Sequence, residues 1–428
     1  MFHAAMIDKP ICYPQAMSSS PPKAMSPGLV VLLLALLLGI QPITTDLYLP
    51  ALPALTRELG AGMGQAQLTL TALLLCFGLS QLVFGPLSDR YGRRPVLIGG
   101  MALYTLAAIG NTLATSIEWL IATRALQGAA MGAAVMCARA IVRDLYAPQE
   151  GARAMASGLG GLGVIALLSP LTGGLLTPLA GWRWSLAVLA LFGLLVCLLL
   201  VLRFQETCPT PTPLAPRTLV RNWGRIVRHP GFLVWSGLLA ASYGALFTAL
   251  AASSFVFLEV YKWSPAMYGV AMASASLTYI GGTFLCRRLL ARHGLQGAVR
   301  IGAFLTLGGG FGMGLLSLAG VDAWWAFLLP HYLFMIGHGV HQPCTQTGAV
   351  APFPQYAGAA SALSGCLLTF VAFGIGAWLG WRMDGTSLPL IHGMWFWCSV
   401  IVFIAWGPVQ RWGNVSQAAA HPAVAPGR

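Results

Sequence analysis

The chain has 428 residues, 57% of them hydrophobic and only 8% charged, so it cannot build a water-facing surface and a soluble fold is excluded. Lysine and arginine number 24 against 11 aspartates and glutamates, a net charge of +13, but they are spread over short connectors rather than gathered on one face, which excludes a nucleic-acid surface. The nine cysteines fall mostly inside apolar runs with no Cys-x-x-Cys and no paired spacing, so neither a disulfide framework nor a metal site is indicated.

Residues 1–27 carry prolines, serines, Asp8, Lys9 and Lys23 without a long apolar run, the pattern of a disordered tail, and they lack a signal-peptide layout. Apolar segments then recur, each near the length of about 20 residues that a membrane span needs. They predict an all-α membrane protein with twelve spans: 28–52, 65–87, 95–114, 118–141, 152–178, 183–203, 231–258, 265–286, 298–319, 323–347, 356–381 and 388–408. The connector 204–230, rich in proline and then in arginine (Arg217, Arg221, Arg225, Arg228), divides them into a six-helix bundle over 28–203 and another over 231–408, with a disordered tail over 409–428. Placing the N-terminus inside puts most lysines and arginines on the inner side and only Arg57, Arg183, Lys262 and Arg382 outside. The expected topology therefore has both termini cytoplasmic.

Of the acidic residues, ten fall in tails, loops or helix ends and only Asp46 lies well within a predicted span, in the stretch Gln41-Pro-Ile-Thr-Thr-Asp-Leu-Tyr-Leu-Pro-Ala-Leu-Pro53. An acid at such a depth is expensive and points to function, the alternative being that it lies in the headgroup zone or caps a helix broken near Pro50 and Pro53. The stretch Gly85 to Pro95 then packs Asp89, Arg90, Arg93 and Arg94 between two apolar runs. Gly-x-Leu-x-Asp-Arg-x-Gly-Arg-Arg, here Gly85, Leu87, Asp89, Arg90, Gly92, Arg93 and Arg94, resembles the loop signature between helices 2 and 3 of the major facilitator superfamily. The resemblance implies a conformational latch in which Asp89 faces the positive end of a helix in the other half, the arginines hold neighbouring acids, Gly85 permits close approach and Gly92 the turn.

In the fourth span, Arg124, Gln127, Gly128, Met131 and Gly132 share one helical face. Arg-x-x-Gln-Gly is similar to another signature of the superfamily, which implies that Arg124 belongs to the proton-coupling machinery; the plain alternative is an arginine snorkelling to the surface. Asp46, late in an outward segment, and Arg124, early in an inward one, fall at similar depth, where a movable arginine would switch the proton affinity of a buried carboxyl. The fifth span carries Gly163 and then Ser169-Pro170-Leu171-Thr172-Gly173-Gly174. This resembles the antiporter motif of drug/proton exchangers, with Ser169 in place of its first glycine, although glycines also serve packing alone. Thr-Asp-Leu-Tyr-Leu-Pro-Ala-Leu-Pro in the first span and Ala-Arg-Ala-Ile-Val-Arg-Asp-Leu-Tyr after the fourth are similar to the bicyclomycin/chloramphenicol-resistance (Bcr/CflA) branch of bacterial inner-membrane efflux pumps.

A second basic turn, Gly281 to Arg288, follows the eighth span as Gly85 to Arg94 follows the second, a degraded internal repeat. Tyr243, Phe247, Tyr279 and His338, with Gln127 and Met131, are candidate substrate-cavity residues; His338-x-x-His341 lacks a third ligand for a metal. Together these readings imply a monomeric antiporter that exports drug-like organic compounds against inward proton flow, with no cofactor and no catalytic site. A transporter dedicated to one metabolite is the alternative within transport, and a membrane-embedded enzyme or sensor the alternative outside it.

Overall fold

In a computed structural model, residues 25–146, 148–208 and 216–414 are described; most of the expected N-terminal tail and the last residues of the C-terminal one lie outside them. All regular structure among these residues is helical. Helix α1 (Pro27–Leu38) starts on Ser26, whose hydroxyl accepts the Leu29 N–H, with Pro27 in the first turn where a missing N–H costs nothing. At Gly39 it passes into α2 (Ile40–Asp46). The first expected span is then interrupted. A short 3-10 turn, Leu49–Ala51, separates Asp46 from α3 (Leu52–Glu58), because Pro50 and Pro53 cannot donate to a continuing helix ladder.

There follow α4 (Met63–Tyr91), α5 (Arg93–Thr112), α6 (Ile117–Leu145), α7 (Pro148–Ala180) and α8 (Trp182–Arg203). The connector contains α9 (Pro216–Val227). Beyond it come α10 (Pro230–Phe255), extended by a π turn over Val256–Val260, then α11 (Pro265–Leu318), α12 (Trp324–Val350), α13 (Ala357–Arg382), α14 (Leu388–Trp406) and α15 (Pro408–Trp412). Ten helical stretches among the described residues are long and apolar enough to cross a membrane. The segments expected at 265–286 and 298–319 form one 54-residue stretch, whose backbone leaves the helical region at Gly294, φ 64°. A side chain there would be strained, so glycine marks the joint.

Helices α1 and α4 to α8 form one packed group and α10 to α14 another, and the two groups meet where α4 lies against α13 and α7 against α11. The second contact is backbone to backbone. A Cβ on Gly174 would sit 2.6 Å from the Pro265 carbonyl oxygen, and one on Gly269 only 2.5 Å from that of Pro170. Away from these contacts large apolar side chains point outward, Leu179 being 81% and Leu202 74% exposed. Only a hydrocarbon environment tolerates such a surface.

The C-terminal tail expected from residue 409 begins later. Val409 is fully buried, the Trp235 indole donates to the Gly413 carbonyl at 3.1 Å and Gln296 to that of Val409 at 2.8 Å, so this segment is docked on α10 and α11.

The α7–α11 contact yields a test. Gly269→Ala forces a methyl against the Pro170 carbonyl and should lower stability by about 1–3 kcal/mol, whereas Gly281→Ala, with nothing within 4 Å of the new methyl, should leave the melting temperature unchanged. Fluorescence-detected thermal unfolding in detergent reads both, and equal effects would mean that α7 and α11 are not in close contact.

Candidate functional site

Asp46 closes α2 at the point where the first span breaks, and its carboxyl is half-buried. The Thr45 hydroxyl lies 2.7 Å from Oδ1, and also 3.0 Å from the Gln41 carbonyl oxygen. One hydroxyl proton cannot serve both acceptors at once.

Arg124, on α6, is completely buried and does not snorkel. Its guanidinium donates to the Thr44 carbonyl oxygen, at 3.3 Å from each terminal nitrogen, and to Gln127 Oε1 at 3.0 Å. It also stands 4.1 Å from the centre of the Tyr48 ring, a cation–π contact in a dry site. Gln127 is held in turn by the Asn111 amide at 2.8 Å, and Asn111 accepts from Thr123 at 2.7 Å. Two donors remain over: Arg124 Nε and Gln127 Nε2 are buried without an acceptor among the described residues. Arg124 thus grips the main chain two residues before Asp46, and among the described residues no ion pair joins them. Among the described residues Arg124 is thus a buried cation with no carboxylate, and Asp46 a carboxyl with no cation, within ion-pair distance, each a costly arrangement.

The other groups expected here fall into separate neighbourhoods. Gln127 belongs to the Arg124 network and Met131 is fully buried in α6. Tyr243 accepts from the Gln41 amide at 3.0 Å, linking α2 to α10, and its ring stacks on Phe247 at 6.4 Å. His338 shares a 2.8 Å hydrogen bond with Ser242, with the Tyr279 ring 5.6 Å away, and Tyr279 donates to Gln342. His341 turns instead to Thr306, at 3.1 Å, so the two histidines face different helices.

In the fifth span, a Cβ on Gly173 would lie 2.1 Å from the Leu47 carbonyl oxygen and one on Gly174 against α11. Adjacent glycines therefore seat α7 on the break beside Asp46 and on the other half. Ser169 donates to the Ile165 carbonyl within its own helix at 2.6 Å, Pro170 supplies the carbonyl that Gly269 accommodates, and Gly163 has only ordinary contact with Ile280.

The Gly85–Arg94 stretch forms a charge cluster. Arg93, 2% exposed, binds Asp89 at 2.6 Å, Asp144 at 2.9 Å and Ser88 at 2.8 Å, and Arg143 reaches Asp89 at 3.5 Å. These partners of Asp89 belong to its own half. Arg94 donates to the Phe204 and Val201 carbonyls, while Arg90 is exposed over Tyr91. Near Gly85 an added Cβ would meet only the tip of Met136, at 3.4 Å. Gly92 is different: its φ is 95°, and a Cβ would fall 2.5 Å from the Glu206 carboxylate.

Sequence reasoning missed Glu206, since a lone acid in a connector has no periodicity to betray it, and Asp144, whose sequence stretch was noted only as a branch signature. Burial works against the ionised Glu206, but the backbone N–H groups of Cys208, Arg93, Arg94 and Thr207 outweigh it and hold the carboxyl below its usual range.

The Major Facilitator Superfamily model matches residues 34–377. The chain is 30% identical over 390 residues to Multidrug resistance protein D of Escherichia coli (strain K12), covering 89% of this chain and 95% of that one. It is 29% identical over 326 residues to the Chloramphenicol resistance protein of Pseudomonas aeruginosa, covering 75% and 76% respectively. Among solved structures, the human organic anion transporter MFSD10 (TETRAN) superposes with a TM-score of 0.68 at 19% identity, covering 90% of this chain and 99% of that one, which is a likeness of fold.

Because the folded Glu206 is the more acidic, its contribution is fully present above its ordinary value of 4.5 and is lost as pH falls through the lower folded value. Glu206→Gln should lower the melting temperature by on the order of 2 °C at pH 7 and flatten its decline on acidification. A variant as acid-sensitive as the wild type would show that Glu206 does not anchor the turn.

Proposed function

The chain belongs to the major facilitator superfamily, in its bicyclomycin/chloramphenicol-resistance branch, and on that premise we propose that it is a proton-coupled antiporter exporting drug-like organic compounds across the bacterial inner membrane. The observation that carries the proposal is the pairing of a half-buried Asp46 at a helix break with a buried Arg124 held on the main chain two residues away. The resistance functions named for the relatives support export and a broad organic substrate.

Twelve spans in two bundles of six follow if the 54-residue stretch is counted as two, divided at Gly294, and α12 is added. Both termini would then be cytoplasmic, and the protein acts as a monomer by alternating access. The halves are joined near Asp46 and toward Arg57: Gln41 meets Tyr243, Gln67 donates to the Ala251 carbonyl at 2.7 Å, and Arg57 pairs with Glu259.

Protonated Asp46 is neutral and needs no cation at this depth. On losing its proton the carboxylate attracts the Arg124 guanidinium, which gives up the Thr44 carbonyl, and the α2 segment shifts about the breaks at Gly39 and Leu47. Since Gly173 is seated on the Leu47 carbonyl and Gly174 on α11, that shift is passed to the contact between the halves. Proton release and reopening are thereby one event. Asp89, Arg93 and Asp144 stiffen the end of α4 that must move with its half.

In everted vesicles, adding a transported compound should discharge a respiration-driven proton gradient for the wild type, and Asp46→Asn should abolish this, because an amide keeps the shape and carries no exchangeable acid proton. Gradient discharge undiminished in Asp46→Asn would move the proton site elsewhere. Arg124→Lys keeps the charge but not the planar fork that spans Thr44 and Gln127, so uptake rates should fall about tenfold or more, the loss of roughly one charge-assisted hydrogen bond. Full activity in Arg124→Lys would show that a point charge suffices.

A further inference from the structure

Helix α9, in the connector, presents three stripes. Asn222 and Ile226, 8% and 0% exposed, face the bundle, where α9 packs on α13 and α10. Arg221 and Arg225, with Arg228 in the turn just past the helix end, are spaced i, i+4, i+7 and are exposed along a second line. Val220 and Val227, 63% and 44% exposed, form a third, apolar line about a third of a turn from the arginines. The arginines line a cleft of about 700 Å³ with Gly224, His229 and Pro230. None of the three has a carboxylate within ion-pair distance among the described residues. The cleft opens where the chain turns at His229 and Pro230 into the membrane-spanning α10, so it lies at headgroup level.

Three guanidiniums left together without acids repel one another unless an anion sits among them, and exposed valines on the next stripe are out of place in water but not against acyl chains. We propose that α9 is an interfacial helix binding the phosphate of an anionic phospholipid, with Arg221, Arg225 and Arg228 on the headgroup and Val220 and Val227 on the acyl region. Arginine suits this because its planar fork donates twice to phosphate oxygens. The site tethers the connector between the halves to the membrane surface. It does not depend on which compound is transported or on proton coupling.

The test titrates delipidated protein in detergent with phosphatidylglycerol, bound lipid being counted by native mass spectrometry, with phosphatidylcholine and inorganic phosphate as parallel arms. Wild type should bind phosphatidylglycerol in preference to phosphatidylcholine. Arg221→Gln/Arg225→Gln/Arg228→Gln should weaken its apparent affinity about tenfold or more, while the charge-matched control Arg287→Gln/Arg288→Gln/Arg292→Gln retains it. Inorganic phosphate should neither occupy the site nor displace the lipid. If the triple variant does not fold, the single Arg225→Gln and wild type at about 0.5 M salt must each show a weaker preference. Unchanged lipid binding in the α9 variants, equal binding of phosphatidylcholine, an equal loss in the control, or occupancy by inorganic phosphate alone would each overturn the inference.

Discussion

An ionised side chain removed from water costs several kcal/mol unless it finds a partner, and the placement of charge in this chain follows from that constraint. Arg93 is buried, and it is matched by Asp89 and Asp144. Glu206 is tied to four backbone N–H groups. Arg57 and Glu259, whose side chains are both exposed, pair across the two halves at the water-facing rim. Asp46, Arg124 and Arg139 have no ion pair among the described residues: Asp46 meets the Thr45 hydroxyl, Arg124 the Thr44 carbonyl and Gln127, and Arg139 the Ser361 hydroxyl. A transporter must have more than one arrangement of similar free energy, and in the proposed mechanism the exchange of Arg124 between the Thr44 carbonyl and the Asp46 carboxylate provides it.

The same region shows how a local change is transmitted. Gly173 and Gly174 stand side by side on α7, one against the Leu47 carbonyl and the other against α11. With no side chain to yield between them, the proposed displacement of the broken first span would be passed to the helix that bears on the other half. At the opposite end of α4, the Arg93 cluster and Glu206 hold the turn and the start of the connector together. The half can therefore shift as a unit instead of fraying.

Much of this was legible in the sequence. Proline and glycine punctuation with long apolar runs marks the helices, and Gly92 is required both by its φ and by the carboxylate beneath it. Asp46 stood out because acids at that depth are rare, and Arg124 because its motif places it on a face with Gln127. The rest depended on tertiary contacts that leave no periodic trace. Glu206 could be recognised only once Gly92 brought the α5 N-terminus to it. The helical content of the connector was hidden by its prolines and arginines, and the docking of Val409 and Gly413 by the polar residues around them. Gln127 reads as cavity-facing on its helix face, yet Asn111 and Arg124 claim its oxygen.

In an antiporter that discharges its proton from Asp46, binding of the exported compound must displace that proton. The displacement is measured as the protons released when a transported compound binds to the purified protein in weakly buffered detergent solution at constant salt. Release from the wild type should be proportional to the occupied sites, with none from Asp46→Asn although the compound still binds. Release of the same size from both proteins, or binding by the wild type with no release at any pH, would contradict discharge from Asp46.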